Sequence, residues 1–311
     1  MPQAHIIKVK RYTDITVDRY TVTFREYNYS TSILRNGVID MKNFMFSMNR
    51  EEFKELMRKT DLAFLPVSPM EAHGPHLPLS TDVLTATQMC IDASRKLQDE
   101  GIESLIASPI NYCLADACHF PGTATIRFET LAAIVEDVCT SLAEWGFRKF
   151  MIVSGHAEGP SIEAIKQGAE NVKKKYPDFK FYFSDFFASG LPLTFDLCRG
   201  EHPEWDIHAG EIETAQVLYM HPEWVDIKTC RTLPANHAAE HFFEKIDAGA
   251  DNFADLGAPN TYFGDPAAAT GELGRKICDI VADFVAGEVK ENLLDKEDKP
   301  AEEQPACCEV A

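Results

Sequence analysis

The stretch Leu62-Ala63-Phe64-Leu65-Pro66-Val67-Ser68-Pro69-Met70-Glu71-Ala72-His73-Gly74-Pro75-His76-Leu77-Pro78-Leu79-Ser80-Thr81-Asp82 decides how this chain folds. Its opening, Leu62 to Val67, is a short apolar run bounded by Pro69, the pattern of a strand covered on both faces. Polar residues crowd in directly after it. Glu71 and His73 are two apart, so an extended backbone turns both to one side. Gly74, Pro75 and Pro78 exclude a helix and fix a turn. Ser80, Thr81 or Asp82 then caps a helix running through Leu97, and Asp82 folds back towards the pair. In open α/β sheets, ligands sit beyond the carboxyl ends of the strands, which is where these residues fall.

The same rhythm extends outward. Arg50 to Lys59 reads as a helix with Phe53, Leu56 and Met57 on one face. Leu105 to Ile110, Phe150 to Val153 and Lys180 to Ser184 read as further strands. Leu131 to Trp145, Ser161 to Lys175, Ile212 to Tyr219 and Gly271 to Val289 read as helices. Alternating strands and helices imply a mainly parallel sheet covered on both faces, an α/β fold. Residues 1–50 read as an extension, with a plausible strand at Thr21 to Tyr27, and residues 51–293 as the main domain. Residues 294–311, rich in Lys, Glu, Asp, Pro and Ala, read as a disordered tail. No internal repeat is expected.

Composition narrows the function classes. Hydrophobic residues make up 45% of the 311, so a sizeable core can be buried. A net charge of −19 would repel phosphate backbones, which argues against nucleic acid as a partner. No apolar run reaches the roughly 18 residues of a membrane span, and Met1 to Lys10 lacks the apolar segment of a signal peptide. A cytoplasmic address is therefore expected. The nine cysteines lack Cys-x-x-Cys spacing and are expected as free thiols. Cys307 and Cys308 are adjacent in the tail and could bind metal or oxidise.

Two further clusters join the first. Ser154-Gly155-His156-Ala157-Glu158-Gly159 sits at another strand end and repeats the two-residue carboxylate–histidine spacing. Together the two strand ends offer three carboxylates and two histidines, Glu71, His73, Asp82, His156 and Glu158. That inventory suffices for two divalent ions sharing a carboxylate, and the donor types suit zinc or manganese. In Trp205-Asp206-Ile207-His208-Ala209-Gly210-Glu211-Ile212-Glu213-Thr214, His208 is a candidate proton shuttle. Glu213 could orient it or hold a metal, and Glu211 could do so instead. Both glutamates are also consistent with solvated first-turn residues favoured by the helix dipole. Trp205 is a pocket wall or a core aromatic.

Taken together the clusters resemble the creatininase (creatinine amidohydrolase) family. Its Glu-x-His-Gly-Pro-His-Leu-Pro-Leu-x-Thr-Asp signature is matched throughout residues 71–82. Gly155-His156-Ala157-Glu158 is similar to its Gly-His motif, and residues 208–214 are similar to its His-Ala-Gly-x-x-Glu-Thr. Phe120-Pro121-Gly122-Thr123 and Gly264-Asp265-Pro266-Ala267-Ala268-Ala269-Thr270 match two further segments. The resemblance implies a three-layer α/β/α sandwich, often assembled as a homo-oligomeric hexamer, that hydrolyses amide-like C–N bonds of small, commonly cyclic substrates. It implies one ion held by Glu71, Asp82 and His156, and another by His73, Asp82 and Glu158. It further implies a metal-activated water that loses its proton to Glu158, with His208 protonating the leaving group.

Substrate-facing positions depart from the family. Asp116-Ala117 stands where many members carry Glu-His, and His119 lies next to Phe120. Ala157 replaces an aromatic substrate contact of creatininase, and Asp206 and His208 are one residue closer together. Trp205, Asp206, His208 and His119 are therefore expected at a substrate other than creatinine. Ring opening of a diketo-inositol is the alternative reaction, and a non-catalytic metal- or ligand-binding protein of the same fold the alternative class.

Overall fold

The computed structural model describes residues 14–17, 20–23 and 43–295. Contacts divide the chain into two units, Met1–Met41 and Lys42–Ala311. In the first, β1 (Asp14–Val17) and β2 (Tyr20–Thr23) form an antiparallel ladder. The expected strand thus begins at Tyr20, and its continuation to Tyr27 lies outside the described residues, as does the tail after Asp295.

The second unit is built on four strands: β3 (Leu62–Pro66), β4 (Leu105–Ile106), β5 (Lys149–Val153) and β6 (Lys180–Phe183). They stand in the order β4-β3-β5-β6 and all their pairings are parallel. The central strands β3 and β5 are buried at every position, Lys149 at the start of β5 included, as the apolar runs Leu62–Pro66 and Phe150–Val153 require. β4 is shorter than the expected Leu105 to Ile110. Pairing with β3 continues through Ala107 N–H and Ile110 N–H, but Pro109 has no donor and interrupts the ladder.

Side chains leave β3 alternately for two cores. Leu62 and Phe64 join Met151 and Val153 beneath α2 (Thr81–Asp99) and α9 (Gly271–Asn292). Ala63 and Leu65 join Phe150 and Ile152 beneath α3 (Phe128–Glu144) and α4 (Gly159–Lys175), with Leu56 of α1 (Arg50–Met57). Helices on both faces make the α/β/α sandwich. The extension does not run to residue 50 as a separate piece, because Phe44 is buried and bridges to Ile106 of β4. Asn49 closes a capping box at α1. Ser80 is the residue before α2, yet its side chain makes no capping bond; Thr81 Oγ1 donates instead to the Pro78 carbonyl.

After β6 the chain runs through short turns to α5 (Glu211–Met220), which packs on α9. The short helices α6 (Ile227–Cys230), α7 (Phe242–Asp247) and α8 (Phe253–Leu256) follow. Among the described residues no helix is long and apolar enough to cross a membrane. Cys90, Cys113, Cys118, Cys139, Cys198, Cys230 and Cys278 are free thiols.

Candidate metal centre

The loop after β3, the first turn of α2, the loop after β5 and the first turn of α5 converge at the carboxyl ends of β3 and β5. Their contact is close because Gly155 has no side chain: a Cβ there would lie 2.5 Å from both the Asp82 carbonyl oxygen and Thr85 Oγ1. That approach carries His156 to Asp82. On the other side, Thr123 of the Phe-Pro-Gly-Thr segment accepts the Ala72 N–H at 3.0 Å, which holds the Glu71-Ala72-His73 backbone in place.

Asp82 stands at the middle, fully buried. Its Oδ1 is 3.0 Å from Nε2 of His73, and its Oδ2 is 3.7 Å from Nδ1 of His156. That same Nδ1 is 3.1 Å from Oε2 of Glu71, and Nε2 of His73 is 3.7 Å from Oε2 of Glu213. Two ligand sets result, Glu71–Asp82–His156 and His73–Asp82–Glu213, with Asp82 common to both. A third group, Glu71–His73–His208, overlaps them.

The donor set fits divalent cations. Oδ2 of Asp82 is buried with no hydrogen-bond donor, and Oε2 of Glu71 has only the poorly aligned Nδ1 of His156 beside it, a costly state unless a cation compensates it. Nδ1–H of His73 donates to the Glu71 carbonyl at 3.0 Å. This fixes the tautomer and aims the Nε2 lone pair at Asp82 and Glu213, the outer-shell arrangement of a ligating histidine.

Electrostatics describe the same site without cations. Burial raises Asp82 to about 6 and Glu213 to about 8. Burial would lower His73, but Asp82 and Glu213 outweigh it and lift the imidazole to about 10. Burial also opposes the charge on Glu71, yet His156, His208 and His73 hold it well below the usual carboxylate range. The metal-free cluster thus keeps protons at neutral pH that a cation must displace. Affinity for zinc or manganese is expected to rise as pH climbs from about 6 to about 10, the range over which Asp82, Glu213 and His73 give up their protons, with proton release below it. Calorimetry in buffers of different ionisation enthalpy checks this, and a pH-independent affinity would contradict it.

The other expected residues fall in several places. Glu158 lies across the His156 ring from Asp82: its Oε2 is 3.3 Å from Nε2 of His156, and the Asp116 N–H donates to it at 3.1 Å. It does not join His73 and Asp82; Glu213, reaching in from α5, occupies that position. Glu211 turns the other way and accepts the backbone N–H groups of Arg199 and Gly200. Nε2–H of His208 donates to the Ala72 carbonyl at 2.9 Å, and its ring lies 4.1 Å from that of His73. Burial, then the charge of His73, lowers it to about 3, so it is a neutral imidazole. Asp206 is buried and its carboxylate accepts backbone N–H groups of α5. It therefore stands as an anchor of that helix, where a substrate contact was expected. His119 is exposed, in the loop before Phe120.

Trp205 is half-buried and carries His202 stacked 3.7 Å from one face, with His237 5.5 Å away at an angle of 56°. Neither histidine was singled out in the sequence. For His202 a signal existed, because His202-Pro203-Glu204-Trp205 recurs as His221-Pro222-Glu223-Trp224, and both copies form a short turn with histidine stacked on tryptophan.

An α/β/α sandwich that presents buried carboxylate–histidine sets at its strand ends is the framework of a metal-dependent hydrolase. A family model described as creatinine amidohydrolase matches residues 47–289, and the chain belongs to the creatininase family. It is 26% identical to the creatinine amidohydrolase of Pseudomonas putida over 80% of this chain and 96% of that protein. It is 29% identical to the mycofactocin precursor peptide peptidase of Mycobacterium tuberculosis (strain CDC 1551 / Oshkosh), over 68% and 78% of the two chains. It is 27% identical to the 3-dehydro-scyllo-inosose hydrolase of Thermotoga maritima, over 61% and 62%. A crystal structure of creatininase superposes with a TM-score of 0.63 at 21% identity, covering 80% of this chain and 97% of that one.

Proposed function

We propose that the chain uses two divalent ions to hydrolyse the C–N bond of a small, polar, cyclic amide. The observation that carries this reading is Asp82, whose two carboxylate oxygens face two different histidines within two three-residue ligand sets. Glu71 and His156 would hold one ion with Asp82, and His73 and Glu213 the other. Bound there, zinc or manganese supplies the Lewis acidity that activates water and polarises a carbonyl.

The chain's own groups supply the proton traffic. The Glu158 side chain is 16% exposed, placed at the rim of the ligand sets and tethered by the Asp116 N–H. It is the carboxylate positioned to accept a proton from the attacking water. Glu158 then hands that proton to the departing nitrogen, while His208, a neutral imidazole with Nε2–H committed to the Ala72 carbonyl, holds the backbone between Glu71 and His73 in place. Trp205, backed by His202, forms a flat side wall for a planar ring.

Two substitutions separate these roles. Glu213→Gln is expected to cost one of two ions per chain. Glu158→Gln is expected to keep both while turnover falls roughly 10²–10⁴-fold, the usual contribution of a general base. The opposite pattern, with Glu158→Gln losing an ion and Glu213→Gln keeping both, would return Glu158 to the ligand set. Turnover is followed with a panel of creatinine, other cyclic amides and ketone derivatives of inositol. Preference for the inositol ketones would favour ring opening of a cyclic ketone, a second reading supported by the similarity to the Thermotoga maritima hydrolase. A homo-oligomer is part of the proposal, and light scattering of the purified chain tests it.

A further inference from the structure

Asp206 sits 6% exposed between three chain segments. It closes the turn Pro203–Trp205, and its Oδ2 accepts the Glu211 N–H at 2.5 Å while its Oδ1 accepts the Ile212 N–H at 3.2 Å. Both donors belong to the first turn of α5, where N–H groups have no partner within the helix. Oδ2 also faces the Asp265 N–H at 3.4 Å. Two glycines make room for the carboxylate. A Cβ on Gly210 or on Gly264 would overlap Oδ2, and Gly264 has φ +91°, a conformation that favours glycine.

Between Asp206 and α5 lie His208 and Ala209. Ala209 is held at φ +51°, an uncommon conformation for a residue with a side chain. Its N–H donates to Oε2 of Glu213 at 2.5 Å, and that same oxygen is 3.7 Å from Nε2 of His73. The Phe263 N–H donates to the His208 carbonyl at 2.7 Å. The aim of Glu213 is thus set by a strained backbone whose two ends are tied down, one by Asp206 and one by the strand-like segment at Phe263–Gly264.

We propose that Asp206 is a positioning residue which, with the Gly264-Asp265 segment, fixes the first turn of α5 and thereby aims Glu213 at the ion held by His73 and Asp82. This assigns a task to the Gly-Asp-Pro segment, and it separates the two ion sites. The Glu71–Asp82–His156 set draws on no residue of α5 and does not depend on the clasp. The inference rests on the two-ion reading above.

The test is manganese loading of the purified full-length chain, read by isothermal titration and electron paramagnetic resonance, which requires no substrate. Wild type is expected to take two manganese ions per chain and to give the spectrum of a coupled pair. Asp206→Asn removes one acceptor and the charge with little change in shape. It is expected to weaken the second ion about 10–100-fold, as loss of an outer-shell partner does, and to leave the spectrum of an isolated ion. Gly264→Ala displaces the carboxylate while leaving it in place chemically, and is expected to give the same spectrum. Unchanged affinity for both ions in either folded variant overturns the proposal, as does equal weakening of the two. A wild-type chain that takes only one ion would instead sink the two-ion reading itself.

Discussion

Asp82→Asn is expected to abolish binding of both ions and, with it, turnover, while the protein stays folded. Among the described residues, Asp82 is the side chain common to the Glu71–Asp82–His156 and His73–Asp82–Glu213 sets. The amide presents an N–H₂ group to one histidine side, which repels a cation, and an uncharged oxygen to the other. The loss should exceed the roughly 10–100-fold that removal of an outer-shell partner costs. Glu71→Gln, by contrast, should empty mainly the set shared with His156. Elemental analysis of the dialysed variants distinguishes the cases, and full occupancy of either site in Asp82→Asn would rule out a bridging carboxylate. Stability should fall as well. Asp82 and Glu213 hold the His73 imidazole protonated up to about 10, so at pH 8 the buried pair is still charged and Asp82→Asn removes one partner of it. The metal-free Asn variant should therefore melt below metal-free wild type at pH 8, by a margin that shrinks once pH passes about 10.

The second large effect is expected at Gly155, on structure as well as on metal. Gly155→Ala places a methyl 2.5 Å from the Asp82 carbonyl and 3.0 Å from its Cα. Both belong to the backbone of α2, which cannot swing aside as a side chain would. The strand end and the helix must separate, at a typical overpacking cost of about 1–3 kcal/mol. For a chain of this size each kcal/mol lowers Tm by roughly 2–4 °C. The same displacement carries His156 away from Glu71 and Asp82, so one ion should be lost. Gly287→Ala, in α9 with nothing near its Cβ, serves as the control and should stabilise slightly. A Gly155→Ala protein with unchanged Tm and both ions bound would show that the close approach is dispensable.

The sandwich and the first ligand set could be read from the chain because their signals are local. β3 is an uninterrupted apolar run and β5 is one from Phe150 onward, and Glu71, His73 and Asp82 lie within one turn-rich segment. His156 follows a Ser-Gly break at a strand end. The second set was harder. The reading placed Glu158 there, because its spacing from His156 repeats that of Glu71 and His73, whereas Glu213 is the carboxylate that lies nearest His73 and Asp82; which side of the His156 ring Glu158 occupies is a matter of how α4 begins. Asp206 shows the same difficulty. Next to Trp205 and His208 it reads as a substrate contact, whereas its partners are backbone N–H groups of α5 and a glycine brought in from residue 264. β4 was overestimated because its apolar run continues past Pro109, and composition does not register a missing donor.

The proposed ligands come from segments that are distant along the chain, and on that proposal biogenesis is constrained. A nascent chain presents Glu71, His73 and Asp82 early, but these alone would leave either ion incompletely coordinated. His156 arrives with the loop after β5, and Glu213 only once α5 has docked on α9, the last helix among the described residues. Metallation is then expected to be a late event that reports on finished tertiary structure. A chain truncated before α9 should be synthesised, and even partly collapsed, without acquiring its full complement of metal.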